Sequence, residues 1–172
     1  VVGASNSLVG GSANDFVGNN VVALSNGNYV VGSRYWNNVP LSATHAGAAT
    51  WGNGATGTAG VVSASNSLVG GRSNDDVGNF VVPLTNGNYV VESASWDFFN
   101  VADAGAVTWG NGSGGTVGLI SLDNSLIGTS PAERLARSSS SSATGRDLEP
   151  RDLGEPLVER GLGLLVEVGE DD

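Results

Sequence analysis

Apolar residues in this chain fall into short runs that are separated by turns rich in glycine and asparagine. The first four runs cover residues 17–24, 29–36, 46–51 and 60–69. In the second run, Tyr29, Val31 and Ser33 alternate with Val30 and Gly32, which places the two sets on opposite faces of a strand. Runs of this length and pattern predict four β-strands.

A tight turn joins the first two predicted strands. Residues 25–28 read SNGN, and Asn-Gly between two apolar runs is a strong signal for a β-hairpin. Both residue types adopt positive φ angles at low cost. Glycine supplies 27 of the 172 residues, and helix signals are scarce before residue 130. The composition therefore favours an all-β fold.

The four-strand pattern occurs twice in the chain. The motif NGNYVV begins at Asn26 and again at Asn86, an offset of 60 residues. The later motif WGNG begins at Trp51 and at Trp109, an offset of 58, so the polar loop between the motifs is two residues shorter in the second copy. A third copy starts with NSLIG at residues 124–128. Deletions are tolerated in surface loops, which supports this division into strands and loops.

These offsets divide the chain into four segments. They are a first β repeat at 1–62, a second at 63–120, the start of a third at 121–130, and a low-complexity acidic tail at 131–172. We predict tandem four-stranded antiparallel sheets, arranged like the blades of an incomplete β-propeller. A β-solenoid is the alternative, because stacked coils also bury both faces of a sheet. The tail is predicted to be disordered or weakly helical.

The third copy breaks off soon after it starts. An offset of 58 places its NGNYVV motif at residues 144–149, where the chain reads TGRDLE. The serine run Ser138–Ser142 opens a segment without aromatic residues. One interpretation is a genuine linker with an acidic tail. The other is a change of reading frame shortly after residue 130.

Charge and composition argue against several classes of function. The net charge is −10, with an acidic excess in both the repeats and the tail, so we expect no nucleic-acid binding. The absence of cysteine excludes disulfides and thiolate chemistry. No apolar run approaches the ~20 residues of a membrane-spanning helix, and no basic segment precedes the first apolar residues. Membrane insertion and a signal peptide are therefore not expected, and the first residues read like the interior of a longer chain.

The motifs NSLVG, NGNYVV and TWGNG together resemble a repeat of unknown function found in long bacterial surface proteins, often beside haemagglutinin-like regions. The resemblance covers roughly residues 4–130. It implies an extracellular or cell-surface location, as part of a longer exported chain. The spacing is also similar to that of integrin-type β-propeller blades, which carry a calcium loop of alternating aspartates. Asn26 and Asn28 stand where that loop would carry acidic ligands, so the resemblance does not extend to calcium binding at this turn.

Tryptophan recurs at matching positions of the two copies. Four residues are candidates for ligand binding: Trp36, Trp51, Trp96 and Trp109. An exposed indole face packs well on a sugar ring, which would make the chain a carbohydrate-binding module. The alternative, which we favour, is that these large aromatic side chains fill the space between neighbouring sheets.

Acidic residues recur just before the VG dipeptides. Asp15, and Asp75 with Asp76, are candidates for a metal site because calcium prefers oxygen ligands. One or two carboxylates per loop supply few of the roughly six to eight oxygens that calcium takes. We therefore favour an Asx turn, in which the aspartate accepts hydrogen bonds from nearby backbone. No cofactor is expected, with weak calcium binding as the alternative.

No residue pattern predicts a catalytic site. His45 is the single histidine, no GxSxG motif surrounds a serine, and the glycine-rich strings lack the lysine of a phosphate-binding loop. We therefore expect a non-enzymatic structural or adhesive repeat from an exported bacterial surface protein. Self-association, other surface proteins and glycans are the expected partners. The alternatives are a carbohydrate-binding module and a truncated or frame-disrupted fragment without a selected function of its own.

Overall fold

Glycine- and asparagine-containing turns divide residues 1–130, the part of the chain that the computed structural model describes, into short strands. In chain order they are β1 Leu8–Val9, β2 Asn20–Ala23, β3 Tyr29–Ser33, β4 Ala48–Gly52, β5 Gly60–Val61, β6 Leu68–Val69, β7 Phe80–Pro83, β8 Tyr89–Ser93, β9 Ala106–Gly110, β10 Gly118–Leu119 and β11 Ser125–Ile127. A short 3₁₀ turn, Val39–Leu41, follows β3. Residues 1–130 contain no α-helix.

The strands form two main sheets. The order is β10-β6-β4-β3-β2 in the first sheet and β11-β9-β8-β7 in the second. All neighbours are antiparallel except β10, which joins β6 in parallel. β1 and β5 pair in parallel as a separate two-stranded sheet. The predicted all-β fold of tandem four-stranded antiparallel sheets is confirmed, with β10 as an additional parallel strand on the first sheet, and the sheets of residues 1–130 do not close into a barrel.

The hairpin turn of each repeat forms as the Asn-Gly dipeptide predicts. Gly27 and Gly87 both have a φ of 87°, in the left-handed region that favours glycine. Asn26 Oδ1 accepts a hydrogen bond from the backbone N–H of Asn28 at 3.1 Å, and the second repeat has the same bond. Such local bonds stabilise turns. The turn thereby sets the register in which β2 pairs with β3 and β7 pairs with β8.

The fourth predicted strand differs from the structure. The run 60–69 divides into β5 and β6, which belong to different sheets. Asn66 causes the division: its Oδ1 accepts the backbone N–H of Ser63 at 2.9 Å, and its Nδ2 donates to the carbonyl of Val61 at 2.9 Å. The prediction of a single strand over this run is wrong because this side chain competes for the backbone groups.

Each main sheet is completed by residues from the following sequence copy. β6 starts the second copy but pairs with β4 of the first, and β11 starts the third copy but pairs with β9 of the second. Hydroxyl pairs support both contacts: the oxygens of Thr50 and Ser67 are 2.7 Å apart, and those of Thr108 and Ser125 are 2.6 Å apart. Adjacent copies are thus joined by backbone pairing as well as by the covalent chain.

The two main sheets pack face to face around a shared apolar core. Its buried residues are Leu24, Val30, Ala49, Leu68, Val77, Val81, Tyr89, Val91, Trp96, Ala106 and Ile120. The backbones approach so closely that glycine is required at the contact. A Cβ atom on Gly32 would lie 2.2 Å from the carbonyl oxygen of Gly78, and one on Gly78 would lie 2.1 Å from that of Ala48. The two repeats therefore belong to one structural unit.

The predicted disordered or weakly helical tail, residues 131–172, lies outside the described residues. Over residues 1–130, no helix is long and apolar enough to cross a membrane.

Candidate functional site

Three side chains of the first repeat converge on one backbone group of the second. The carbonyl oxygen of Gly112 accepts hydrogen bonds from Asn26 Nδ2, Asn28 Nδ2 and Trp51 Nε1, each at 2.9 Å. Asn26 Nδ2 also lies 3.3 Å from the carbonyl oxygen of Gly87. We call these three donating side chains the donor cluster. They connect the hairpin turn and β4 of the first repeat to the loop that follows β9.

Both asparagines of the donor cluster use both ends of the side-chain amide. Asn26 Oδ1 accepts the N–H of Asn28 within the turn, and Asn28 Oδ1 accepts the N–H of Gly54 at 3.0 Å. The oxygens therefore stabilise the first repeat, while the nitrogens bind the second. An aspartate side chain has no N–H group, and its ionised carboxylate only accepts hydrogen bonds, so an acidic calcium loop could not form this contact.

The second repeat carries the same side chains in a different environment. Asn86 and Asn88 use their Oδ1 atoms inside their own repeat, where Asn88 accepts the N–H of Gly112 at 3.0 Å. Within residues 1–130, their Nδ2 atoms and the indole nitrogen of Trp109 form no hydrogen bond. The donor groups are thus engaged in the first repeat and free in the second.

An ion pair spans the contact between the repeats at the other end of β3. Arg34 Nη2 lies 3.1 Å from Asp76 Oδ2, and Arg34 Nη1 lies 3.3 Å from Asn79 Oδ1. The guanidinium also lies 4.7 Å from the centre of the Tyr35 ring, a favourable cation–π distance. Burial raises the pKa of Asp76, and the positive charge of Arg34 opposes that rise.

The four candidate tryptophans occupy three environments. Trp36 and Trp96 are buried, with 5% and 8% of their surface exposed. Trp51 is half-buried and belongs to the donor cluster. Trp109 is 54% exposed. Of the four, Trp109 alone presents a broad indole surface to solvent.

Two of the candidate acidic residues, Asp15 and Asp75, cap backbone turns. Asp15 Oδ2 accepts the N–H groups of Gly11 and Ser12 at 2.9 and 2.8 Å, and Asp75 Oδ2 accepts the two equivalent bonds at the same distances. Asp15 Oδ1 accepts both the backbone N–H and the Nδ2 group of Asn37, at 3.0 and 2.8 Å. Backbone and amide donors therefore already occupy these buried carboxylates.

The third candidate, Asp76, is paired with Arg34 rather than with other acids. In the described part of the chain, no group of three or more His, Asp or Glu side chains is placed to hold a metal ion. Weak calcium binding stays a prediction. Burial also raises the pKa of Asp75 to about 6, although backbone hydrogen bonds from Arg72, Asp97 and Gly71 lower it.

Each repeat has a cleft beside its aspartate-capped turn. The first cleft, with a volume of about 470 Å³, is bordered mainly by apolar residues, among them Trp36, Val39, Pro40, Leu41, Val61 and Leu119. The second cleft, about 400 Å³, has an equivalent position and is bordered by Arg72, Trp96, Asp97, Phe98, Phe99, Ser121, Leu122 and Asp123. Val39 and Leu41 are exposed at the first cleft, and Phe99 and Leu122 at the second. The clefts combine a buried tryptophan with an exposed apolar border.

Sequence reasoning identified neither the donor cluster nor the clefts. The NGN motif predicts a turn, but a turn requires asparagine on one side of the glycine only. The presence of asparagine on both sides of the glycine, in both copies, is the sequence signal that these side chains do more than form the turn. Of the cleft residues, the repeated tryptophans Trp36 and Trp96 were candidates, but the neighbouring loop residues differ between the copies, so no repeated pattern marks the rest of each cleft.

A five-stranded and a four-stranded sheet, exchanged strands and a contact built from the repeated motifs define a tandem β-repeat protein. The family model described as "Repeat of unknown function (DUF5650)" matches residues 1–19, 23–79 and 83–137, which is more than half of the chain. The chain therefore belongs to this family. The matches that start at residues 23 and 83 reproduce the 60-residue offset of the NGNYVV motif. No characterised protein and no solved structure shows significant similarity to the chain.

Proposed function

We propose that this chain is a non-enzymatic structural and adhesive repeat of an exported bacterial surface protein. The contact at Gly112 carries the structural part of the proposal, because one carbonyl oxygen receives all three donor-cluster side chains. These side chains belong to the NGNYVV and TWGNG motifs themselves. A repeat whose own motif supplies the groups that join it to the next copy is suited to building an array.

The clefts support the adhesive part of the proposal. Val39, Leu41, Phe99 and Leu122 expose apolar surface at their borders. Apolar patches on a protein surface commonly mark interaction sites. Since the clefts lie at equivalent positions, an array would present one per repeat, and weak individual contacts would reinforce one another. Other surface proteins, glycans or further copies of the repeat are the proposed partners.

The proposed location rests on the sequence. The motifs resemble repeats of long bacterial surface proteins that often lie beside haemagglutinin-like regions. The acidic charge of −10 disfavours nucleic-acid partners. Both features suit a protein that works outside the cell, as part of a longer chain.

A bead-retention assay tests the adhesive role. Beads carrying the full chain would be washed over glass coated with bacterial cells, with glycans or with an unrelated protein. We expect retention on cells or glycans and little on the unrelated protein. The double variant Val39→Ser/Phe99→Ser should lose most of this retention, whereas Ser113→Ala, in an exposed loop away from the clefts, should keep it. Absence of selective retention, or equal retention of both variants, would contradict the proposal.

The exposure of Trp109 favours one second candidate, a carbohydrate-binding module. Its indole is 54% exposed and offers a flat apolar surface to a sugar ring. Titration with a glycan panel should then quench tryptophan fluorescence in the natural chain and in Trp51→Phe, but not in Trp109→Ala. Quenching that persists in Trp109→Ala would exclude this site.

A further inference from the structure

The second repeat carries its own version of the face through which the first repeat contacts it. In the first repeat this face includes Val30, Gly32, Ala49 and Trp51 on β3 and β4. The corresponding residues of β8 and β9 are Val90, Glu92, Val107 and Trp109, which we call the outer face. The strand register is the same in both repeats, because Val30 pairs with Trp51 as Val90 pairs with Trp109.

Glycine at position 32 is what permits the contact inside the chain. An ideal Cβ there would lie 2.2 Å from the carbonyl oxygen of Gly78, well below the closest approach of real Cβ atoms. The obstructing atom is backbone, so it cannot rotate away as a side chain would. Any residue with a Cβ at this position therefore pushes the two repeats apart.

The outer face differs from its counterpart at this position. Glu92 replaces Gly32, and Val107 replaces the smaller Ala49. Ala94 replaces Arg34, so the ion pair that Arg34 forms with Asp76 has no equivalent. The outer face keeps the donor groups of the contact, but Glu92 prevents the close backbone approach that Gly32 allows.

The surface that would dock on the outer face belongs to the first repeat, where Phe16 stands in place of Asp76. The first repeat has the same backbone conformations as the part of the second repeat that fits against Gly32. The φ angles are 64° and 68° at Asn14 and Asn74, and 83° and 82° at Gly18 and Gly78. The carbonyls of Gly27 and Gly54 correspond to those of Gly87 and Gly112, which accept the donor-cluster bonds. The first repeat of another copy therefore presents the shape and acceptors that the internal contact uses.

We infer that Glu92 bars the outer face to a second copy of this chain, which would otherwise dock there through its first repeat. The inference rests on the proposed function, in which each repeat packs on the next to build an array; we call this the stacking proposal. A docked copy would bring the carbonyl oxygen of its Gly18 against the Cβ of Glu92, as Gly78 lies against Gly32. It would also bury the carboxylate of Glu92, and Ala94, in the position of Arg34, supplies no positive charge nearby. The outer face therefore does not accept the first repeat of a second copy in the way that the first repeat's own face accepts the second repeat.

Self-association of full-length variants tests this inference. Sedimentation velocity over a wide range of protein concentrations would compare the natural chain with Glu92→Gly, Glu92→Gly/Val107→Ala and Glu92→Ala. We expect the two glycine variants to form concentration-dependent dimers and longer oligomers. Glu92→Ala should stay like the natural chain, because it removes the charge but keeps the Cβ. The fluorescence of Trp109 should shift to the blue as the glycine variants associate, since docking buries its indole.

Three results would overturn the inference. One is association of the natural chain that Trp109→Ala abolishes, since the outer face would then be open. Another is association of Glu92→Ala as strong as that of Glu92→Gly, because charge rather than the Cβ would be the barrier. The third is that the double variant Glu92→Gly/Val107→Ala folds, as judged by circular dichroism, but associates no more than the natural chain.

The variant Gly32→Ala separates this inference from the stacking proposal. It places a Cβ at the internal contact and should sharply lower the urea midpoint of unfolding, whether or not Glu92→Gly folds. If Gly32→Ala has no effect, the close contact is not needed, and both the inference and the stacking proposal fail. If Gly32→Ala destabilises the chain but the glycine variants do not associate, the inference about Glu92 alone fails.

Discussion

The indole nitrogen of Trp51 donates a hydrogen bond to the carbonyl oxygen of Gly112 at 2.9 Å, across 61 positions of the sequence. Both residues belong to the same motif, TWGNG, once in each copy. The motif therefore supplies the donor on one repeat and the acceptor on the next. This relationship makes the two repeats complementary in one direction only.

Trp51→Phe tests the energetic contribution of this bond. The change removes the indole N–H and keeps an aromatic ring in the half-buried site. We expect the free energy of unfolding to fall by about 1 kcal/mol, since a carbonyl is left with one donor fewer. Urea denaturation followed by circular dichroism measures the change. Trp109→Phe is the matched control and should leave stability nearly unchanged, because its indole nitrogen has no partner in residues 1–130. Equal losses in both variants would contradict the assigned role.

We expect any side chain at Gly112 to destabilise the fold. A Cβ there would lie 1.7 Å from the carbonyl oxygen of Gly87, a backbone atom that cannot move without opening the turn. Gly112→Ala should therefore cost more than about 3 kcal/mol of unfolding free energy. Gly114→Ala, two residues away, has no atom within 4 Å of the new Cβ and should be neutral or slightly stabilising. Thermal unfolding of both variants tests this expectation. Similar melting temperatures for Gly112→Ala and Gly114→Ala would show that a side chain at residue 112 is tolerated.

Acidification from pH 7 toward pH 4 should stabilise the protein through Asp75. Burial raises the pKa of this carboxyl from 3.8 to about 6, so the folded state binds the proton more tightly than the unfolded state. The resulting stability is fully present below the unfolded pKa and is lost as the pH rises through about 6. The whole shift corresponds to about 3 kcal/mol. Burial also raises the pKa values of Asp76 and Glu92, which adds to the effect in the same direction.

Urea midpoints measured across this pH range test the assignment to Asp75. Asp75→Asn should show a flatter dependence of the unfolding free energy on pH than the natural chain, whatever its absolute stability. Asp123→Asn, at an exposed position, should keep the natural slope. If the slope of Asp75→Asn matched that of the natural chain, another group would be responsible.

The ion pair between Arg34 and Asp76 should contribute little to stability. Its side chains are 31% and 22% exposed, so water and salt screen the attraction. A double-mutant cycle with Arg34→Ala and Asp76→Ala should give a coupling energy below about 1 kcal/mol that shrinks further at high salt. A coupling that is large and independent of salt would show that the pair behaves as a buried one.

The sequence predicts the fold correctly where the structure depends on local interactions between residues close together in the chain. Asn-Gly at residues 26–27 predicted the hairpin, and the alternation over Tyr29–Ser33 predicted the two faces of β3. The run 60–69 was misassigned because the side chain of Asn66 bonds to the backbone on both sides, which hydrophobicity does not report. The exchange of β6 into the first sheet was equally hidden, since strand partners depend on the position of the neighbouring repeat.

The candidate site is harder to predict from sequence, because the roles of its residues depend on contacts between the repeats. Trp36 and Trp51 look alike along the chain, but one is buried at a cleft and the other donates a hydrogen bond to the next repeat. Their roles depend on where the second sheet lies. The same holds for Glu92, whose significance appears only when Gly32 is seen against the backbone of Gly78.

The exchanged strand β6 also sets an order of events during synthesis. The first sheet obtains its fourth strand from Leu68–Val69, which are translated after β2, β3 and β4, and its fifth strand, β10, is translated later still. While the ribosome still holds these residues, β4 has an unpaired edge and the first repeat is incomplete. Each sheet can be completed only when strands of the following copy have emerged: β6 and β10 for the first sheet, and β11 for the second. Folding of such a chain should therefore lag behind translation by about one copy.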